Sequence, residues 1–465
     1  MPIVFKGLLR LGPVLGLSII ACSGPPPSEK ATRQNVLATA QPAAVSPSLS
    51  LQTNGPTKEL EVAIPSAVCA ADQVACQSLP GQPAPLPSER PTAATPSPLP
   101  SAILARTTAA NVSGIRIYEA PPRDVIEHAE TVSQDTLTEY GLPPRPDRAS
   151  APLAYESWLQ SVTGGLPAQP TTYAYAYQTP WLGGHDGSYP LVRHGAGSSS
   201  YEEVEAHPLT TPVPIIPIFV TTNIRHDARQ PSPNWSGIDI YEPNGKPFKK
   251  AFIQGTFTVP RATCSFGQSG VLYASAWVGI DGWGSSTDVL QAGTDFTINC
   301  SRPSTAQTYA WTEWYPADSK KVTNFPVSAN DSVTIEVWTT GDGVGRAHIV
   351  DNTSHKQIPA IAFNPPPGTK LVGDNVEWIV ERPEVGGNYS DFANYGTLSM
   401  VGRACIPSGN GPCSINLYPG STPLGQLLNI YLTTTNSERA ISSAAVPDAT
   451  GGFAPPDMIQ FTALP

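Results

Sequence analysis

Charged residues are scarce in this 465-residue chain, at 14% of the sequence, against about 25% in ordinary globular proteins. No lysine occurs between Lys58 and Lys246, and the formal net charge is −10. Nucleic acids and anionic membrane surfaces attract faces rich in lysine and arginine, so the composition argues against either as a partner. Beyond the N-terminal run, no stretch approaches the ~20 apolar residues of a membrane span.

The chain also lacks the short motifs of several hydrolase classes. Neither GxSxG nor HExxH occurs, which argues against serine hydrolases and zinc peptidases. No two cysteines have the CxxC spacing that is typical of zinc and redox sites. We therefore expect no metal and no cofactor.

The N-terminus has the layout of an export signal. Lys6 and Arg10 come first, then an apolar run from Leu11 to Ile20, then the small Ala21. The run "IIAC" resembles a bacterial lipobox, which would make Cys22 the lipidated first residue of the mature protein. Ordinary signal cleavage is the alternative. We expect an exported lipoprotein of the outer membrane or cell surface that meets a membrane only through its anchor, unless later processing releases it.

The cysteine count supports export. Of the 7 cysteines, removing Cys22 leaves an even set, as expected in an oxidising compartment. Many connectivities are open to such a set. Pairing neighbours in the sequence, which is the most local choice, joins Cys69 to Cys76, Cys264 to Cys300, and Cys405 to Cys413.

Three regions of different composition follow the signal. Residues 23–111 are rich in Pro, Ser and Ala and cannot bury enough apolar surface to offset chain entropy, so we interpret them as a tether. Residues 112–230 show short helical patterns broken by Pro pairs, then Gly- and Tyr-rich loops, and are interpreted as a prosegment-like region. Residues 231–465 consist of short alternating runs between Gly, Pro, Asn and Asp, which predict one all-β sandwich or barrel domain.

Alternation along four predicted strands separates polar from apolar residues. In "NVEWIVE", residues 375–381, Glu377 and Glu381 share one face while Val376 and its neighbours at every second position share the other. The corresponding face of the other three strands carries Ser275, Trp277, Gly279 and Asp281; Gln291, Gly293 and Asp295; and Tyr309, Trp311, Glu313 and Tyr315. Aromatics interleaved with acids, and without lysine, indicate a substrate groove; an ordinary exposed sheet face is the alternative.

Six blocks in this part of the chain resemble one family. "NWSG", "ASAWVGIDG", "LQAGTDF", "WTEWYP", "EWIVE" and "DFANYGT" occur in the order and at about the spacing of the fungal glutamic peptidases, or eqolisins. The resemblance covers about 234–400. It implies an antiparallel β-sandwich like that of the concanavalin lectins and glucanases, and an acid-acting endopeptidase with a Gln and Glu dyad. By this resemblance the dyad is Gln291 and Glu381, and the supporting groove residues are Trp235, Trp277, Asp281, Asp295 and Glu313; strand parity adds Trp311 and Glu377.

The residue types fit this chemistry independently. Glu381 would activate water and then protonate the leaving amine, while the Gln291 amide would donate to the oxyanion. A histidine base with an ordinary pKa of about 6.5 would be protonated in acid, whereas glutamate at about 4.3 is well placed. Neighbouring acids would raise the Glu381 pKa by like-charge repulsion. We expect polypeptide substrates and a monomer.

Two alternatives stay open from the sequence. Carboxylates four apart on a sandwich strand are also typical of glucanases, but Ile379 stands between Glu377 and Glu381. Four residues of strand span ~13 Å, whereas retaining glycosidases need carboxyl groups ~5 Å apart. A lectin-like module would use the same aromatic groove without chemistry. Fungal prosegments are often rich in lysine, so the absence of lysine here predicts no electrostatic masking of the groove by residues 112–230.

Overall fold

The structure is a computed structural model of the 465-residue chain. It describes residues 99, 101–164, 166–167, 171–175, 192–197, 228–241, 248, 250–265, 267–284, 286, 288–301, 305–407, 413–420, 427–434, 440–446 and 457–464. The predicted signal, Cys22, most of the predicted tether, and Cys69 and Cys76 lie outside the described residues.

The helices are short and precede the predicted β domain. They are α1 (Ser101–Ala105), α2 (Arg123–Glu127), α3 (Gln134–Glu139) and α4 (Pro152–Thr163). The Ser133 side chain caps α3 by accepting from the backbone N–H of Thr136 at 3.0 Å. Helix α4 begins with proline, which has the backbone angle that a first helical residue needs. Within the described ranges, no helix is both long and apolar enough to cross a membrane.

Strands make up most of the rest. Before residue 200 the described strands are β1 (Thr107–Ala109), β2 (Ile115–Tyr118), β3 (Leu166–Pro167), β4 (Tyr173–Tyr175) and β5 (Val192–Arg193). The later ones are β6 (Ala228–Ser232), β7 (Trp235–Tyr241), β8 (Ala251–Thr258), β9 (Val271–Ile280), β10 (Val289–Asn299), β11 (Gln307–Tyr315), β12 (Lys320–Val322), β13 (Ser332–Thr339), β14 (Gly345–Asp351), β15 (Lys356–Gln357), β16 (Ile361–Phe363), β17 (Asn375–Glu381), β18 (Glu384–Val385), β19 (Asn388–Tyr389), β20 (Thr397–Pro407), β21 (Cys413–Leu417), β22 (Leu427–Leu432), β23 (Ser442–Ala445) and β24 (Met458–Ala463).

The strands form two packed layers. We call one the front sheet, in the order β4–β12–β11–β10–β9–β17–β7–β22, and the other the back sheet, in the order β1–β2–β16–β14–β13–β8–β20–β24. Neighbours within each order pair antiparallel, and β23 joins the layers at one edge by pairing with both β22 and β24. The prediction of an antiparallel β-sandwich is confirmed.

The main core lies between the sheets. Val278 and Leu290 of the front sheet pack there with Ile335 and Val337 of the back sheet, all fully buried. Burial of such side chains contributes about 1.5–3 kcal/mol each. Trp277 belongs instead to a second apolar cluster, on the opposite face of the front sheet. Because side chains alternate along a strand, this core fixes which residues face outward.

Residues before 231 take part in the sandwich. Strands β1 and β2 extend the back sheet, and β4 extends the front sheet beyond β12. The tether boundary at residue 111 was therefore set too late, because residues 101–109 form α1 and β1. Composition hid this, because Leu99 and Ile103, which are buried in a cluster with Phe252 and Trp338, are among few large apolar residues in a Pro-, Ser- and Ala-rich stretch.

Two disulfides join the predicted neighbours. Cys264 is bonded to Cys300 and Cys405 to Cys413, with Cα atoms 5.7 and 5.6 Å apart. Both pairings are confirmed. Disulfides of this kind persist in oxidising compartments, which fits an extracellular protein.

Candidate active site

The outer face of the front sheet carries the predicted dyad. Gln291 on β10 lies opposite Gly279 on β9 and Glu313 on β11. Glu381 on β17 lies opposite Ser275 on β9. The dyad residues therefore stand on the two strands that flank β9, offset by four residues along it, which is about 13 Å of strand. A peptide lying across β9 can reach both.

Tryptophan rings form the floor between the two. The Trp277 Nε1–H donates to Glu381 Oε2 at 2.8 Å, and Trp235 packs edge-on against Trp277 with ring centroids 4.9 Å apart. A Cβ at Gly293 would lie 2.5 Å from Trp277 Cβ and 2.9 Å from Trp311 Cζ2. Glycine at this position is what lets two tryptophans flank β10.

This face is covered by another part of the chain. Gln291, Glu381, Asp295 and Glu313 are all 0% exposed. Residues 192–197, which we call the covering segment, lie over them, and its first two residues form β5 against β18. The alternative of an ordinary exposed sheet face is therefore wrong for these residues, because strand parity reports a face but not what packs on it.

Backbone hydrogen bonds hold the covering segment. The Trp235 indole N–H donates to the Gly195 carbonyl at 3.1 Å, and the Asn234 side-chain amide donates to the Ala196 carbonyl at 3.0 Å. The Gly197 N–H donates to the Gly282 carbonyl at 3.0 Å. These hydrogen bonds are made to main-chain atoms of the segment, as they would be in a peptide-binding site.

His194 is the centre of the covering segment. Its Nε2 lies 2.9 Å from Asp295 Oδ1, and its Nδ1 lies 2.9 Å from Glu313 Oε2. The imidazole stacks on Trp311 with centroids 3.6 Å apart and planes 1° from parallel. Although burial lowers the pKa of His194, the Asp295 and Glu313 carboxylates raise it to about 10. The ring is therefore a cation between two acids.

Sequence reasoning missed His194. The absence of lysine predicted that residues 112–230 would not mask the acidic groove electrostatically. That prediction is wrong, because a single histidine supplies the cation. The two carboxylates lie 101 and 119 residues away in the sequence, and "VRHGAG" has no periodicity to place it. Residues 112–230 also contain several arginines, Arg193 among them, so the sequence has no signal that singles out His194.

Gln291 meets a peptide carbonyl. Its Nε2–H donates a short hydrogen bond to the backbone oxygen of His194. Its Oε1 is buried and has no hydrogen-bond partner among the described residues. The amide that was expected to donate to an oxyanion therefore donates here to a main-chain carbonyl.

The surroundings of the Glu381 and Glu313 carboxyl groups near His194 raise their pKa values. Burial raises the pKa of Glu381 well above its ordinary range, while the His194 cation and the Trp277 N–H oppose that rise. Burial also raises the pKa of Glu313, against the effect of His194. A carboxyl with a raised pKa can both hold and release a proton at mildly acidic pH.

The remaining predicted acids are Glu377, which lies level with Gln291 on the other side of Gly279, and Asp281, which directly follows β9. Asp281, with φ of 70°, accepts the backbone N–H groups of Val372 and Asp374 at 2.6 and 2.8 Å and so holds the loop before β17. Burial raises the pKa of Glu377, and Asp239 and Asp281 add to that rise. Among the described residues, neither Asp281 nor Glu377 forms a hydrogen bond or an ion pair with His194. Asp281 is a loop anchor.

No cluster of three or more His, Cys, Asp or Glu side chains in the described ranges is arranged to hold a metal ion.

Comparison with known proteins finds similarity over this part of the chain. Residues 233–436 match the sequence model of the Peptidase A4 family. Over 195 residues the chain is 31% identical to aspergillopepsin-2 of Aspergillus niger, covering 38% of this chain and 66% of that protein. Over 160 residues it is 32% identical to scytalidopepsin B of Scytalidium lignicola, covering 34% and 55%.

The chain therefore spans less than two thirds of the length of either relative. Among solved structures, a scytalido-glutamic peptidase with a transition-state analogue inhibitor matches 50% of this chain and 98% of its own, with 20% identity and a TM-score of 0.38. The aspergilloglutamic peptidase of Aspergillus niger matches 42% and 99%, with 26% identity and a TM-score of 0.32.

Proposed function

We propose that this chain is an acid-acting endopeptidase that hydrolyses peptide bonds with Glu381 and Gln291. The observation that carries the proposal is the hydrogen bond from the Gln291 amide to a main-chain carbonyl in the same cleft as the buried Glu381 carboxyl. The match of residues 233–436 to the model of a peptidase family supports the same reaction. Asp295, Glu313, Trp277 and Trp311 shape the cleft around the bound peptide.

Each residue has a separate task in the proposed reaction. The Glu381 carboxylate takes a proton from water, and the water oxygen bonds to the peptide carbonyl carbon. The Gln291 N–H stabilises the resulting oxyanion. The carbon–nitrogen bond then breaks, and Glu381 returns its proton to the leaving amine, so that one peptide bond and one water give one carboxyl group and one amine.

The covering segment makes the full chain latent in this proposal. Substrate and residues 192–197 compete for the same hydrogen bonds from Gln291, Trp235 and Asn234. The prosegment-like interpretation of residues 112–230 rests on this overlap. Export as a lipoprotein anchored through Cys22 belongs to the same proposal and rests on the sequence of the signal alone.

The glycosidase and lectin alternatives have less support. Glu377 and Glu381 stand four residues apart on β17 with a backbone spacing of about 13 Å, which does not suit a retaining pair. The cleft is filled by a peptide segment held through its main chain, which is a contact that a polypeptide ligand would make.

The test is to remove each task while keeping the fold. Glu381→Gln should lower acid proteolysis about 10²- to 10⁴-fold and Gln291→Ala about 10²- to 10³-fold, measured as kcat/KM on a protein substrate between pH 2 and 7. Glu377→Gln is the matched control, since it makes the same chemical change on the same strand, and its loss should stay below about tenfold. A folded Glu381→Gln chain that keeps more than about a tenth of the activity would refute the mechanism.

A further inference from the structure

The covering segment binds the cleft at two levels. Its main chain receives hydrogen bonds from Gln291, Asn234 and Trp235. These bonds can be made with the backbone of any peptide. The side chain of His194, in contrast, enters a pocket made by Asp295, Glu313 and Trp311. The main-chain contacts therefore hold a peptide, and the pocket can choose among side chains.

The pocket is built to fit one shape of cation. Two carboxylate oxygens lie 2.9 Å from opposite nitrogens of one planar ring, and Trp311 stacks flat beneath that ring. Tyr309 fixes Asp295 by donating its O–H to Oδ2 at 2.5 Å. A planar ring with an N–H on each side can bridge both acids while it stacks. Phenylalanine stacks without donating, and a lysine ammonium donates without stacking.

The neighbouring cation avoids the pocket. Arg193, one residue away, pairs with Asp318 outside it, and its side chain remains 23% exposed. Negative charge alone therefore does not explain why Asp295 and Glu313 bind His194 and not the adjacent Arg193. The His194 ring is fully buried by comparison.

The geometry points to a side-chain subsite: the pocket of Asp295, Glu313 and Trp311 selects a protonated histidine in the residue whose carbonyl Gln291 binds, and His194 occupies it in this chain. The part of the inference that concerns substrates rests on the proposed function, and the substrate class it names is peptides with histidine at that position. The part that concerns binding of His194 in the pocket does not require catalysis.

Hydrogen exchange of the full chain tests the binding side. In His194→Gln, amides of residues 192–197 should exchange at least about tenfold faster than in the wild type, because hydrogen bonds to charged groups are lost. Glu313→Gln should give a similar gain, and the double variant should add little to either, as expected of coupled partners. Arg193→Gln is the matched control on the same segment, with a smaller effect. Unchanged protection in His194→Gln, or an equal loss in Arg193→Gln, would overturn the subsite.

Peptide cleavage tests the substrate side. Capped octapeptides that differ at one position, His, Gln or Phe, would be offered to the His194→Gln chain at about pH 5, where free histidine is protonated. The kcat/KM for the histidine peptide should exceed that for the glutamine peptide at least about tenfold, and Glu313→Gln should bring the ratio towards one. Equal cleavage of all peptides would leave the peptidase standing and remove the subsite. No cleavage of any peptide would refute the proposed function, while hydrogen exchange still decides the pocket.

Discussion

Two buried histidines, one on each outer face of the sandwich, lie between polar partners in contrasting ways. On the front sheet His194 bridges Asp295 and Glu313. On the back sheet His348 of β14 lies 2.8 Å from Glu336 Oε2 and 2.9 Å from Gln357 Oε1. We call these the front and back networks. Both are covered by chain that precedes residue 200, the back one by α4, whose Ser157 carbonyl accepts from Gln254 at 3.4 Å.

The networks differ in what is left unpaired. In the back network both oxygens of Glu336 have partners, since Gln254 donates to the other oxygen at 2.9 Å. Around the front network, buried oxygens of Gln291, Glu313 and Glu381 have none among the described residues. Buried polar atoms are normally satisfied. A satisfied network holds a fold together, whereas an unsatisfied one is suited to binding something else.

The largest expected difference between the networks is in stability. His348→Ala leaves an oxygen of the buried Glu336 without its donor, at about 1–3 kcal/mol, so the free energy of unfolding should fall by about that amount. His194→Ala should lower it by a smaller amount, because an opened cleft lets water hydrate Asp295 and Glu313. Urea unfolding followed by circular dichroism measures both.

Activity should follow the opposite order. His194→Ala should raise the initial rate of proteolysis by the full chain, since it weakens the covering segment, while His348→Ala should leave the rate per folded molecule unchanged. Equal losses of stability in the two variants would abolish the distinction between a structural and a functional network.

The two faces also show how far the sequence could predict the structure. Alternation in β9 and β17 was sufficient to put Val278 in the core and Trp277 outside, because a one-residue slip would exchange the faces of a whole strand. Gln291 and Glu381 were likewise placed on the outer face. The register that offsets them by four residues across β9 could not be predicted from the sequence of either strand alone.

What covers each face could not be predicted. Strand β5, in the covering segment, has 2 residues, too few for alternation to be recognised. His194 contacts residues more than a hundred positions away through a glycine-rich segment. Local sequence constrains local structure, so contacts of this range are fixed by tertiary packing.

A second comparison concerns two glutamates of one strand, Glu377 and Glu381. Burial raises the pKa of Glu377, and both of its oxygens lack partners among the described residues. The folded chain then binds a proton more tightly than the unfolded chain, so this contribution to stability is present below about pH 4.5 and is lost as pH rises towards the raised pKa.

Glu377→Gln should remove that part of the pH dependence. The free energy of unfolding of the variant relative to the wild type should increase with pH above about 4.5, by at most about 1.4 kcal/mol per pH unit. Urea titrations at pH 4, 6 and 8 give the difference directly. Parallel curves for the two proteins would show that Glu377 is hydrated in the folded chain.

The smallest expected effect sharpens the comparison between the two tryptophans of the cleft floor. Trp277 Nε1–H donates to Glu381 Oε2 at 2.8 Å, whereas Trp311 Nε1–H donates to Ser275 Oγ at 3.0 Å. The bond to the carboxylate favours the charged form, and its loss raises the Glu381 pKa further. In Trp277→Phe, the limb of the pH profile of kcat/KM that needs ionised Glu381 should therefore move to higher pH by up to about one unit. Trp311→Phe removes a donor of the same kind from a neutral acceptor and should leave that limb in place, whatever it does to the rate. A shift of equal size in both variants would mean that Glu381 is not the group that titrates.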